Sequence, residues 1–382
     1  MTGKHMSDFE GWVFMGIDFS ASRWDTIRKN FNTWWKNKLD RPIVQYRVPG
    51  RDPGRPCPDA PSASQENCHD LSISADDLID RLDYDLSCFT FLGDDFPSIK
   101  LNFFGPVVLA AMSGADIDNS SGKCWYHPKE FPIQEIHLKY NPDNRWLNRL
   151  RDICRAAIKR WQGQVLVQMP VLGGNFDSLA CFMSTEDLLI ALYDYPEEVF
   201  RLLDEEHNLF FRYYDEFNEL LTPWNPGYSD WSNIYSEKPN YILQSDFSYM
   251  ISPELFDKYV KPGLTASVKR INNSFYHLDG VGELPHLDSI LTIEELCGVQ
   301  WIPGAGRPQI CEWPEVLQKI VLSGKKLQTI GGLDILKKSL DIVSAVAPVN
   351  RMVHWGFQIN SAAAFRKKMD EMGIDTAASG AF

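Results

Sequence analysis

Short runs rich in β-branched and aromatic residues alternate with longer helical stretches through the C-terminal half of the chain. Tyr241–Phe247 (YILQSDF) leads into a helix predicted over Ser252–Ile271. That helix opens Ser-Pro-Glu: a capping serine, a first-turn proline, and an acid beside the helix's positive end. Ser274–Asp279 precedes helical sequence near Pro285–Leu296, and Val299–Ile302 precedes Trp313–Ser323, which stops at Gly324. Lys326–Ile330 precedes Leu333–Val346, and Arg351–Phe357 precedes Ser361–Met372. Consecutive strand–helix units of this length predict parallel α/β architecture.

Three further strands are predicted in the N-terminal half, at Pro42–Val48, Ile99–Phe103 and Val165–Val171, with helical sequence such as Thr185–Glu216 between later elements. Eight such units on one chain predict a (β/α)8 TIM barrel with long inserted loops, a single domain over residues 41–382. Residues 1–40 read as an N-terminal helical extension. The proline- and glycine-rich stretch Val48–Ser64 reads as a loop over the barrel mouth. A doubly wound open sheet is the alternative, but no glycine-rich dinucleotide fingerprint follows the first strand.

Charge narrows the partners. The 382 residues carry 38 basic and 51 acidic side chains, a net charge of −13, which argues against nucleic acid or an anionic membrane surface. No apolar run approaches the length of a membrane-spanning helix, and the first residues lack a secretory signal pattern, so a cytoplasmic location is expected. The eight cysteines include no Cys-X-X-Cys and read as free thiols; Cys297 and Cys311 flank the sixth strand, where a thiolate ligand is the alternative to packing, and Cys297 reads as packing. Twelve tryptophans are many for this length, and an indole can wall a ligand site.

In a barrel the chemistry sits at the C-terminal strand ends. The predicted ends carry Arg47, Asn102, Gln168, Gln244 with Asp246, His277 with Asp279, and His354. Residues i and i+2 of a strand face the same side, so His277 and Asp279 point together. Such a pair binds a divalent metal, works as an acid–base pair, or tightens the barrel by a hydrogen bond. His354 is the candidate third ligand. Glu283 is a further ligand or base, or simply an acidic first-turn residue. Arg47, Arg51 and Arg55, set among prolines and glycines, offer forks for carboxylates or phosphates.

Taken together, these motifs resemble the uroporphyrinogen decarboxylase-like superfamily over roughly residues 90–375. The resemblance lies in Gly105-Pro106 with Ala110 to Gly114, in Pro170 to Met183 followed by Pro196-Glu-Glu-Val, and in Gln244-Ser-Asp246. It continues through Ile251-Ser-Pro-Glu-Leu-Phe to Pro262, His277-Leu-Asp-Gly and His354-Trp-Gly. The superfamily joins haem-pathway decarboxylases to zinc-dependent methyltransferases that work with corrinoid proteins. Its methyltransferases hold zinc on a His-X-Cys-Gly element and a later cysteine. Here Asp279 and His354 stand at the two cysteine positions, so the resemblance implies zinc or another divalent metal on His277, Asp279 and His354. The decarboxylase branch carries Arg-X-X-Gly-Arg, matched by Arg47-Val-Pro-Gly-Arg51.

The expectation is a metal-dependent methyltransferase that moves a methyl group from a small methylated or methoxylated substrate to a corrinoid. The corrinoid would sit on a separate partner protein, because the chain lacks an Asp-X-His-X-X-Gly motif. Asp246 and Glu283 are the expected catalytic groups. Arg47, Arg51, Tyr235, Tyr241 and Gln244 are expected at the substrate, with Trp301 and Trp355 as walls. A homodimer is compatible with this reading. The alternatives are a metal-free carboxy-lyase using Arg47, Arg51 and one of Asp94, Asp95 or Asp279, and a non-catalytic binding protein.

Overall fold

The computed structural model describes residues 16–128 and 131–376. Its strands are β1 (Ile43–Pro49), β2 (Phe89–Gly93), β3 (Ser98–Ile99), β4 (Ile117–Asp118), β5 (Trp125–Tyr126), β6 (Leu166–Val167), β7 (Asn240–Leu243), β8 (Asn273–Asp279), β9 (Gly298–Ile302), β10 (Lys326–Gly331) and β11 (Met352–Gln358). Seven form one sheet in the order β2-β1-β11-β10-β9-β8-β7. All its neighbours are parallel except β2, which runs antiparallel to β1. β3 and β6 make a separate parallel pair, and β4 and β5 a small antiparallel one. The continuous ring of eight strands expected from sequence is therefore not drawn by ladder hydrogen bonds among the described residues.

Register assigns each strand residue to a face. His277 pairs with Gln300, Gln300 with Gln328, and Gln328 with Val353, so these lie in one row across four strands. Two residues further along each strand, Asp279 pairs with Ile302, and Trp355 with Ile330 and Gln45. This inner face meets the segment Ser229–Ser236, which is buried apart from Trp231. Gln45 donates to the Asn233 carbonyl, Gln328 to the Ser232 carbonyl, and the Asn233 side chain accepts from Ser98 and Gln168. The same segment thus touches strands of both ladders, and it also takes the backbone N–H of Met169 on the Ser229 carbonyl and that of Ile242 on the Asp230 carboxylate.

The opposite face of the sheet is covered by helices. Tyr46 packs on Phe365 of the helix Ala362–Glu371, and Trp301 on Trp313 beside the helix Pro314–Leu322. The helix Ala21–Trp35 packs beneath the strands' starting ends. Trp34 donates to the carbonyl of Met352 and stacks on Phe275, while Trp24 donates to the Gln164 carbonyl. Lys326, at the start of β10, donates to the Trp34 carbonyl in the last turn of that helix, a cation at its negative end. This helix is integral to the core, and the remainder of the expected extension, residues 1–15, lies outside the described residues.

Several predicted elements differ in form, and the strands expected at Ile99–Phe103 and Val165–Val171 are only Ser98–Ile99 and Leu166–Val167. Thr185–Glu216 is two helices, Thr185–Asp194 and Pro196–Leu221, because Pro196 cannot continue the first and starts the second. The strand expected over Tyr241–Phe247 ends at Leu243 and gives way to a 3-10 turn at Asp246–Met250. The cause is Asp177, whose carboxylate accepts the backbone N–H groups of Asp246 and Phe247 and diverts them from any ladder. All eight cysteines are free thiols, as expected, although Cys57 is exposed.

Candidate metal centre at the strand ends

His277 and Asp279 leave the end of β8 on the same face, and the 3-10 turn after β7 brings Asp246 to them. One ligand atom from each of the three lies within 4.8 Å of the others. His277 Nε2 stands 3.9 Å from Asp279 Oδ2. Asp279 is 38% exposed, so the group opens to solvent on that side, while His277 is buried. The edge of Trp231 meets the His277 ring at 4.9 Å and closes the inner side.

The tautomer of His277 follows from a chain that starts at a backbone carbonyl. The Ser232 carbonyl can only accept, so Gln328 presents its amide nitrogen there, at 2.7 Å. The Gln328 oxygen then accepts from Gln300 Nε2, at 2.6 Å. Gln300 is left to present its oxygen to His277, whose Nδ1 must therefore be the donor. Nε2 keeps its lone pair, and that is the atom facing Asp279.

Carboxyl groups crowd this corner. Burial pushes Asp246 up to about 7, with the charge of Asp279 adding to the effect. Burial likewise raises Asp177 to about 7 and Glu283 to about 10, with Asp246 the next contributor to each. Asp246 Oδ1 is buried and has no hydrogen-bond partner. A buried, unpartnered carboxylate oxygen on a residue clustered with a histidine and a second carboxylate is costly without a cation or a proton nearby. The donor set, one imidazole nitrogen and two carboxylate oxygens, suits zinc or another divalent transition ion.

Glu283 sits beside the cluster and not in it. It accepts the Tyr276 hydroxyl at 3.0 Å and the Asp279 backbone N–H at 3.3 Å, so it fixes the end of β8. Gln244 donates to Asp177, and both hold the turn that carries Asp246. Trp355 faces inward, and Lys100 lies over its ring at 3.5 Å.

Other expected site residues are elsewhere. His354 is one residue out of phase with Trp355, so it points to the helix-covered face. There Nδ1 meets Thr329 at 2.8 Å and Nε2 meets Tyr46 at 2.9 Å, leaving no nitrogen for a metal. Trp301 is out of phase with Gln300 in the same way and is fully buried against Trp313. Arg47 is spent in a two-pronged pair with buried Asp95. Arg51 donates to the carbonyls of Gly16 and Ser87, tying loop to helix. Tyr235 lies among Trp24, Phe31 and Phe96 at the far end of the sheet. Tyr241 donates to the Pro170 carbonyl at 3.5 Å, and its oxygen takes the Leu172 N–H. Asp94 is held by Arg41, Asn30 and the Val44 N–H, an internal ion pair.

Sequence reasoning missed Asp177, Trp231 and the glutamines that orient His277. Gln300 and Gln328 carry a legible signal, a polar residue mid-strand in an otherwise apolar run, but their purpose needs the register.

No known protein-family profile matches the chain, and no curated protein matches it. Among solved structures it is similar in fold to a methyltransferase from Methanosarcina mazei, with a TM-score of 0.56 at 11% identity. The likeness covers 91% of this chain and 99% of that one. Among the described residues no helix is long and apolar enough to cross a membrane.

Proposed function

We propose that the two ladders close around Ser229–Ser236 as a (β/α)8 barrel, and that this is a metal-dependent methyltransferase. Its substrate is a small methylated or methoxylated compound and its methyl acceptor a corrinoid on a separate protein. The observation that carries the reading is the clustering of Asp246, whose Oδ1 is buried without a hydrogen-bond partner, with His277 and Asp279. Fold similarity to a methyltransferase over nearly the whole chain supports the choice of reaction.

A divalent ion held by Asp246, His277 and Asp279 supplies Lewis-acid polarisation of the substrate's heteroatom, which makes it a better leaving group. The chain's own residues prepare the place. Gln300 fixes the His277 tautomer, Asp177 fixes the turn bearing Asp246, and Glu283 fixes the backbone of Asp279. Burial and the neighbouring acids raise the Glu283 carboxyl to about 10. Trp231 keeps water from the inner side of His277. The carboxy-lyase alternative lacks its anchors, since Arg47 is neutralised by Asp95 and Arg51 is engaged with backbone carbonyls.

The test has two parts. Metal analysis and zinc titration of the full chain should give saturable binding that His277→Ala and Asp279→Asn abolish. Visible spectroscopy should then show methylation of cob(I)alamin from a panel of methylated and methoxylated compounds, lost in the same variants. Absence of saturable metal binding, or methyl transfer that survives both substitutions, would overturn the proposal.

A further inference from the structure

Lys100 directly follows β3, and its ammonium stands 3.5 Å from the centre of the Trp355 ring. Trp355 lies in the inner-face row that runs through Ile330 and Ile302 to Asp279, because Gln300 pairs with Gln328 two residues earlier. Trp355 and Asp279 are therefore three strand spacings apart, about 14 Å measured along the sheet.

Among the described residues no oxygen closes on Lys100. Its two nearest carboxylates are already engaged. Both oxygens of Asp95 accept from Arg47, and one also accepts from Asn233. Asp230 accepts the hydroxyl and N–H of Ser232 on one oxygen and the Ile242 N–H on the other. Arg47, the remaining cation nearby, is spent on Asp95 and lies over Phe89 and Phe91. Burial, with the Arg47 charge adding, lowers the Lys100 ammonium to about 7, and an arriving anion relieves both. Three N–H donors on an aromatic platform, with both neighbouring carboxylates already engaged, are what an anion from outside needs.

We propose that Lys100 is the anion-binding residue of this mouth, receiving on the face of Trp355 a carboxylate or phosphate carried by the substrate. The substrate class this implies is a small molecule with an anionic group at one end and the reacting heteroatom at the other. That class rests on the proposed metal centre, whereas the affinity of Lys100 for an anion does not.

The experiment is calorimetric titration of the full chain with acetate, benzoate and inorganic phosphate at fixed ionic strength, with benzamide as the neutral control. At least one anion should bind the wild type saturably and bind Lys100→Met about tenfold or more weakly. Lys100→Arg should restore the affinity to within about threefold, and benzamide should not distinguish the proteins. Lys100→Gln replaces Lys100→Met should that variant fail to fold, as judged by circular dichroism. If no anion distinguishes wild type from the neutral variants, including by binding to neither, the assignment to Lys100 is wrong. Zinc titration of Lys100→Met separates the two proposals, because it should match the wild type. A wild type that discriminates anions through Lys100 but takes no zinc would sink the metal centre and leave this site standing.

Discussion

His277 donates through Nδ1 to the side-chain oxygen of Gln300, and that bond decides which ring nitrogen faces Asp279. The direction of the bond is fixed two residues away, where the Ser232 carbonyl orients Gln328. Gln328→Leu removes this constraint without touching a ligand. Gln300 is then free to turn over, and the imidazole to place its proton on Nε2. Metal affinity should fall about 10–100-fold, read by chelator competition, with the fold intact by circular dichroism.

Asp177→Asn keeps shape and loses acceptors. The carboxylate takes N–H groups from Asp246, Phe247 and the Gln244 side chain, and an asparagine must turn its own NH2 toward one of these donors. A loss of about 1–3 kcal/mol in urea unfolding is expected, together with weaker metal binding. A variant as stable as the wild type would show that the turn does not depend on this carboxylate.

Glu206 gives a stability effect with a defined pH window. It is buried beside a cavity of about 240 Å3, accepts from Ser178, and burial raises its carboxyl to about 8 from an ordinary 4.5. The unfolded chain releases this proton near 4.5 while the folded chain keeps it to about 8. Raising the pH between those values therefore favours unfolding. Glu206→Gln lacks this slope, so its stability relative to wild type should rise from pH 5 to pH 8. Parallel unfolding curves at every pH would contradict the prediction.

His354→Ala tests the reassignment of that histidine. Loss of its bonds to Thr329 and Tyr46 and of its buried ring should cost about 2–4 kcal/mol, with zinc stoichiometry unchanged. Burial lowers this imidazole from 6.5 to about 4, so protonation of the unfolded chain destabilises the wild type as pH falls between those values. The variant should lack that acid-side loss. A drop in bound zinc would return His354 to the metal centre.

Local chemistry made much of the architecture legible. The runs at Pro42–Val48, Ser274–Asp279, Lys326–Ile330 and Arg351–Phe357 are strands because their β-branched and aromatic content and bounding turns act within a few residues. The cap at Ser252 sits where the sequence put it, since a cap needs only the next three backbone amides. β2 was not legible, because an edge strand is defined by the neighbour it finds in β1.

The sequence by itself determined the alternation of strands and helices, and the juxtaposition of His277 with Asp279, because strand period two is a property of the backbone alone. Which face of each strand looks inward was left to tertiary structure, since phase is set only when neighbouring strands register. That phase sends His354 and Trp301 to the helices and brings Trp355 inside. It also took the whole fold to lay Asp246 beside His277, to spend Arg47 on Asp95, and to leave Lys100 on Trp355 without a carboxylate of its own. A charge is available for chemistry only when the fold has not already paired it, and pairing is decided between residues far apart in the chain.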